Sequence, residues 1–456
     1  MPSVVPIFKK GTRYDPLNYR PVSLTSVCCK VLERIITRHL TTYLETNCLL
    51  TSEQFGFRSG RSTMDQLLLV YSEVSKWTDE GQVVDVVLFD YSKAFDVVCH
   101  ELIIAKLRCL GIQGNVLHWI QSFLSGRLMK VCVKGSFSQP RRVLSGIPQG
   151  SVLGPLLFLI FINHIASDLT CNFKIFADDL KIYACVNHQS TTDHSSLAAR
   201  VQTDINKLHN TSLSWGLTLN REKCATLRFS RAHRDLNSPT YCLGGLPIPT
   251  VGSHMDLGVL VDSDMKFHGH IRSVARKAGG LAQNFLKSTV CRTPDFMLFL
   301  LTTHIRPIME YCSCIWNMGY QGDLRLLESV QRRWTKQIAS CEGLSYSQRL
   351  QTLNLYSVQG RLLRADLMQY WKILNGKSCI PCADMFQLAP QRGTRGHSLK
   401  IFVPSSRTDI RKRFFNVRCI SVWNSLPESV VAAPTVTVFK KLLEKAISKE
   451  LFMYVE

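Results

Sequence analysis

Residues 83 to 89 read Val-Val-Asp-Val-Val-Leu-Phe, a run nearly all apolar and β-branched. That composition over that length predicts a central strand covered on both faces. Leu102, Ile103, Leu107 and Leu110 follow at helical spacing. From Lys130 to Lys134 polar and apolar residues alternate, which predicts a half-buried strand. The most apolar segment, Leu153 to Ile162, has about half of the ~20 residues a membrane span needs, so it reads as a buried core helix. Phe173 to Phe176 and Leu180 to Val186 predict two strands joined by a tight acidic turn, Ala177-Asp178-Asp179. Leu257 to Val261 predicts one more short strand.

After about residue 265 the period becomes helical. Ile271, Val274, Ala278, Leu281 and Phe285 form one apolar stripe, with Arg272, Arg276 and Lys277 beside it. A second helix is expected from about Asp295 to Ile305. A third turns Leu324, Leu327, Val330, Trp334 and Ile338 inward and carries Arg325, Arg332, Arg333 and Lys336 on other faces. Beyond residue 376 Pro and Gly become more frequent, and an amphipathic helix is expected from about Thr435 to Leu451. No internal repeat or low-complexity tract interrupts this order. The pattern predicts an α+β chain in three units, 1–262, 263–375 and 376–456.

Composition narrows the class. With 45% apolar and 20% charged residues the chain has the make-up of a folded, soluble protein. Its net charge of +21 suits a polyanionic partner, nucleic acid or an acidic membrane surface, and the basic helix faces suit a phosphate backbone. The 17 cysteines are odd in number and scattered, several inside apolar runs such as Val131-Cys132-Val133. They read as reduced thiols of an intracellular protein, nuclear or cytoplasmic, rather than a disulfide framework. Cys379 and Cys382 form one C-x-x-C with no second pair at zinc spacing, and structural zinc takes four ligands. The first ten residues hold too short an apolar stretch for a secretory signal.

The sharpest chemical feature is Asp178-Asp179 between two apolar strands. Adjacent carboxylates repel each other, and a divalent cation between them relieves this. Asp90 ends the buried strand at Val86-Val87-Leu88-Phe89. If the strands are neighbours in one sheet, Asp90 and Asp178 converge. Such a cluster is what two-metal phosphoryl transfer requires, with two ions about 3.5–4 Å apart. Taken singly, Asp-Asp reads as a polar turn and Asp90 as a helix cap ahead of Ser92-Lys93-Ala94.

The surrounding motifs change that balance. Asn18-Tyr19-Arg20-Pro21-Val22-Ser23-Leu24 comes first, then Gln54-Phe55-Gly56-Phe57-Arg58 with Gly60-Arg61-Ser62-Thr63. Phe89-Asp90-Tyr91-Ser92-Lys93-Ala94-Phe95-Asp96, Gly146-Ile147-Pro148-Gln149-Gly150-Ser151-Val152-Leu153-Gly154-Pro155 and Phe176-Ala177-Asp178-Asp179 follow. Asn220-Arg221-Glu222-Lys223-Cys224 and Leu257-Gly258-Val259 complete the set. In order and spacing, over roughly residues 5 to 265, the chain resembles the reverse transcriptases of LINE-type (non-LTR) retrotransposons, most closely the jockey-like group. The helical segment and the closing Phe414-Phe415 and Trp423-Asn424-Ser425-Leu426-Pro427 resemble the C-terminal half of that family.

The resemblance implies a right-hand polymerase: fingers and palm, a helical thumb, and a C-terminal extension. It implies template-directed addition of dNTPs to a primer 3′-hydroxyl, with an RNA template, a DNA primer or target DNA, no membrane partner, and two Mg²⁺ ions held by Asp90, Asp178 and Asp179. The incoming triphosphate falls to Arg20, Arg58 and Arg61, with Lys9 or Lys10 assisting; surface salt bridges are the bland reading of the arginines. Gln149 would meet the nucleotide or template, or else be an amide satisfied by main chain. Lys223 would protonate pyrophosphate, or else be a solvated lysine. Phe95 would be the steric gate against ribose, or else plain core. Leu257-Gly258-Val259 would be the primer grip. The resemblance also leads one to expect a chain cut at its N-terminus, without the family's endonuclease and the first part of the fingers. A remnant that only binds nucleic acid and an intron-encoded maturase are the competing readings. Oligomeric state has no signature in the sequence.

Overall fold

The computed structural model describes residues 3–186, 191–231, 239–390 and 396–446. The chain opens with strands β1 (Ser3–Phe8) and β2 (Tyr19–Leu24) and helices α1 (Val27–Thr46) and α2 (Thr63–Asp79). Next come β3 (Val83–Phe89), α3 (His100–Cys109), α4 (Gly114–Leu124), β4 (Leu128–Val133) and α5 (Gly154–Ile162). The acidic turn joins β5 (Asn172–Phe176) to β6 (Asp179–Val186). Helix α6 (Thr191–Ser214) leads to β7 (Ala225–Phe229), β8 (Thr250–Val251), β9 (Ser253–Asp256) and β10 (Val259–Asp262).

One sheet carries the centre of the molecule, in the order β8-β7-β3-β6-β5. β3 is its middle strand, antiparallel to both β6 and β7, and every residue in it is buried. Strand alternation splits its side chains between two cores. Val84, Val86 and Leu88 join Tyr183, Leu227 and Phe229 against α2 and the helical second half. Val87 and Phe89 join Leu180, Ile182 and Ala184 against α3, α4, α5 and α6. Asp85, inside this apolar run, is satisfied by the Arg228 guanidinium at 2.6 and 2.7 Å and by the Tyr241 hydroxyl at 2.7 Å. The expected core helix α5 is buried at every position but Pro155. Among the described residues no helix is long and apolar enough to cross a membrane.

A second sheet sets β1 between β2 and β4, extended by short strands at Ser136–Phe137 and Arg141–Arg142. The half-buried strand expected at Lys130–Lys134 begins earlier, at Leu128. It ends at Val133 with no buried face, and Lys134 sits in a turn at φ 49°. β4 lies between β1 and the two short strands, with no residue fully covered on either face, so its alternation does not report burial. The strand expected over Leu257–Val261 is instead the turn and second arm of the β9–β10 hairpin: Leu257 and Gly258 have φ of 44° and 86°.

The helical half begins with α7 (His268–Ser288) and α8 (Pro294–Leu300), which continues through Ile305 and Glu310. It goes on with α9 (Gln321–Thr335), a short helix at Tyr346–Thr352, and α10 (Val358–Leu374). The last described helix is α11 (Val436–Ala446); the final residues of its expected span lie outside the described residues. The segment after α10 returns to α2. The Asp79 carboxylate accepts from the backbone N–H of Arg407 at 2.9 Å and Thr408 at 2.6 Å, and from the Thr408 hydroxyl at 2.7 Å. Asn416 donates to Ser72 at 2.9 Å, and Gln369 donates to Asp65 at 3.0 Å. Phe415, Trp423, Phe439 and Leu443 enter the same core as α2, α7 and α9.

Candidate active site

The carboxylates meet because of strand register. Phe89 pairs with Leu180 across β3 and β6, so Asp90 leaves the sheet beside Asp179. Phe176 pairs with Asp179, and Ala177 takes a left-handed φ of 57° to put Asp178 at the tip. The loop from residue 51 to 61 shapes this turn. The buried Gln54 side chain accepts from the N–H of Gly56 at 2.8 Å and of Ala177 at 2.9 Å. A Cβ on Gly56 would sit 2.3 Å from the Ala177 nitrogen, so only glycine allows this approach.

Crowding perturbs the acids. Burial first, then the charges of Asp178 and Asp90, push Asp179 up to about 7. Burial and the charge of Asp90 raise Asp178 against the lowering effect of its own backbone hydrogen bond. Three cations share this field. Lys223 makes an ion pair with Asp90. Burial, then Arg20 and Lys223, lower Lys9, which also feels Asp90. Sequence reasoning set Lys9 behind the arginines; its signal was its place on the segment after β1, opposite the Arg20 strand. Among the described residues no three His, Cys, Asp or Glu side chains are already gathered as a metal cage. Asp90 is turned onto Lys223 instead.

The three fingers arginines do not behave alike. Arg20 is exposed on β2, across from Ile7. Arg58 is held by Glu45 through an ion pair and by the Thr51 carbonyl. Arg61 donates to the Ser52 and Gln54 carbonyls and lies 5.0 Å over the Phe55 ring. Arg58, through its ion pair, and Arg61, through two carbonyls and a ring, thus brace the loop behind the turn, whereas Arg20 is exposed on β2 near Lys9.

Phe95 is half-buried, stacked on Phe158 at 4.1 Å and edge-on to Phe57 at 6.2 Å. Gln149 donates to Asp96 at 2.7 Å, so its amide has a side-chain partner rather than the main-chain one considered. Asp96 itself was missed, although it closes the Phe95-Asp96 pair in the quoted motif. Gly150, at φ 95°, leaves a Cβ position 3.0 Å from the Ser23 carbonyl oxygen of β2.

On the helical half Arg272, Arg276, Arg325, Arg332, Arg333 and Lys336 are exposed, as expected. α7 packs on α9, and Arg333 reaches Gly279 of α7. Arg332 lies 4.9 Å over the Tyr346 ring. All 17 cysteines are free thiols.

The geometry agrees with what comparison finds. Residues 7–270 match the family described as "Reverse transcriptase (RNA-dependent DNA polymerase)". The chain belongs to the reverse transcriptase family. That match encloses all nine residues expected at the site, from Arg20 to Lys223, and gives the α+β fingers-and-palm arrangement its right-hand polymerase class. The "Probable RNA-directed DNA polymerase from transposon X-element" of Drosophila melanogaster is 26% identical over 72% of this chain and 36% of its own length. The "RNA-directed DNA polymerase from mobile element jockey" of the same fly is 30% identical over 74% of this chain and 37% of its own. Within the family the chain thus falls with the enzymes of non-LTR retrotransposons, and it spans little more than a third of the length of these relatives. Telomerase from Candida albicans, solved with a telomeric RNA fragment, aligns over 78% of this chain and 67% of that chain at a TM-score of 0.41 and 12% identity.

Proposed function

We propose that this chain is an RNA-directed DNA polymerase that adds dNTPs to a primer 3′-hydroxyl opposite an RNA template. The observation that carries the reading is the convergence of Asp90 with the Asp178-Asp179 turn, with Lys9 and Lys223 in the same field and Arg20 near Lys9. Like charges crowded in a half-buried site are costly unless a cation joins them. Carboxylate oxygens are the hard donors Mg²⁺ prefers, so the donor set fits two such ions held by Asp90 and Asp178 with Asp179 beside them. When bound, the ions would lower the pKa of the attacking hydroxyl and offset charge on the leaving pyrophosphate.

The chain's own residues do the rest. Lys9 and Arg20 bind the triphosphate and orient its α-phosphate toward the acids. Lys223, released from Asp90, donates a proton to the departing pyrophosphate. Phe95 underlies the sugar, and Gln149 with Asp96 fixes the edge of the nucleotide pocket. The β9–β10 hairpin holds the primer end, and the exposed arginines of α7 and α9 hold the duplex through phosphates. In this reading residues 1–262 are fingers and palm, 263–375 the thumb, and 376–456 an extension that braces α2.

Primer extension on an RNA template with Mg²⁺ tests the proposal. Asp178→Asn should lower extension by at least about 10³-fold, the upper end of what removing one electrostatic contact at a reacting centre costs. It should leave RNA affinity and thermal stability near those of the parent. Full extension by Asp178→Asn overturns the assignment. RNA binding without extension by the parent favours the binding-only remnant.

A further inference from the structure

The β9–β10 hairpin is a two-stranded sheet of its own; among the described residues no backbone ladder joins it to β6, the strand that begins with Asp179. A buried side-chain bridge joins them. Lys181 lies two residues after Asp179, on the same face of β6. Its ammonium donates to both Asp256 carboxylate oxygens at 2.6 Å, and the two side chains are only 1% and 3% exposed. The fully buried Tyr71 hydroxyl of α2 donates to the same carboxylate at 2.7 Å. Asp256 is the last residue of β9, directly before the Leu257-Gly258 turn. That turn is held from its other side: the Tyr311 hydroxyl of the helical half donates to the Leu257 carbonyl at 2.8 Å, and its oxygen lies 3.2 Å from the hydroxyl of Thr63, the first residue of α2.

We infer that Lys181 is a positioning residue for nucleotide addition: with Asp256 and Tyr71 it sets where the β9–β10 hairpin stands relative to the Asp178-Asp179 turn. The inference rests on the polymerase reading above, in which that hairpin carries the primer end. A buried ion pair is a poor source of stability, because desolvation of both charges offsets their attraction, and an apolar pair of similar volume is often as good. What the pair supplies is orientation. Two oxygens, one ammonium and one phenol meet in a single geometry, whereas an apolar contact tolerates sliding. A misplacement of about 1 Å at a reacting centre costs about 10²-fold in rate.

The test compares the parent with Lys181→Met/Asp256→Leu, which removes both charges together, and with Tyr71→Phe, which removes one hydrogen bond and keeps the ring. Single-turnover dNTP addition should fall about 10²-fold in the double variant and a few-fold in Tyr71→Phe. Primer–template Kd, dNTP KM and Tm should stay near the parent values. Amide hydrogen exchange is read alongside and needs no turnover: amides of residues 255–260 should exchange about tenfold faster in the double variant while those of β3 stay protected. Loss of exchange protection together with an inactive parent would sink the polymerase reading, and with it the role in nucleotide addition, while showing that the bridge still places the hairpin. Unchanged hairpin exchange, or a parent-like rate in an active double variant, overturns the inference. If the double variant unfolds, a parent-like rate and exchange in Tyr71→Phe overturn it as well.

Discussion

The loop from residue 51 to 61 and the acidic turn after β5 touch through Gln54 and Gly56, yet they handle charge in opposite ways. In the loop the charges are answered: Arg58 by Glu45, Glu53 by Lys174, Arg61 by two carbonyls and a ring. In the turn, burial and mostly like charges act together, and the one nearby cation bearing on Asp179 from its own strand, Lys181, is already committed to Asp256. Paired charges specify shape. Charges left in conflict mark a candidate site for something that is not part of the fold, and under the proposed function this contrast separates braces from reacting groups better than residue type does.

Arginine exchange is the strongest way to break that contrast. Arg20→Ala should raise the dNTP KM about tenfold or more, the worth of a charge-assisted hydrogen bond, with little change in Tm. Arg58→Ala should do the reverse: stability falls by about 1–3 kcal/mol as Glu45 loses its partner, and dNTP KM holds. Equal KM effects from both would erase the distinction. Phe95 meets the loop through Phe57, and Phe95→Val sharpens the comparison. As a gate residue it should yield a several-fold rise in ribonucleotide over deoxynucleotide efficiency; a ratio that stays put while both efficiencies drop marks Phe95 as core.

Acid titration probes a buried group away from the acidic turn, His270, whose Nε2 is buried without a hydrogen-bond partner among the described residues. His270 accepts from the Leu260 N–H at 3.1 Å, and burial lowers it from 6.5 to about 4. Between those values the unfolded chain binds a proton that the native chain does not, so stability rises with pH across that window and is lost as pH falls through it. Urea midpoints at pH 7 and 4.5 should therefore differ for the parent, and differ less for His270→Asn. The smallest effect is expected on α7 and α9. Neutralising Arg272, Arg276 and Arg325 should flatten the log–log salt dependence of primer–template binding by about 0.9 per lost phosphate contact. An unchanged slope means that those faces are only solvated.

Much of the palm was legible because its information is local. β3, β5, β6 and α5 each carry composition, length and boundaries in a few consecutive residues, and the expected meeting of Asp90 with the Asp178-Asp179 turn needed only their adjacency. The β9–β10 turn was missed because Leu257-Gly258-Val259 reads as apolar, and only the positive φ at Leu257 and Gly258 makes it a turn. α10 was missed for another reason. It buries Asp366 and Gln369 among its apolar residues, which spoils the helical period, and their partners Arg418 and Asp65 lie far off in sequence. The fate of Arg58 was hidden because Glu45 reaches it from the end of a separate helix, and that of Arg61 because its partners are backbone carbonyls, which residue types do not reveal.

The return of residues 407–416 to α2 has a bearing on synthesis at the ribosome. Once α2 is made, Asp79 and Ser72 wait for Arg407, Thr408 and Asn416, more than 300 residues later. Until those arrive, a carboxylate and part of an apolar face that will be internal stay open to water and to other chains. The nascent protein must therefore pass through a long interval in which its centre is unfinished, the kind of interval in which chaperones act and aggregation begins. A premature stop near residue 400 would leave a chain with all of its expected site residues and no means of closing the helix behind them. Residues 407–416 thus complete the burial of α2 only after every residue of the acidic turn has been made.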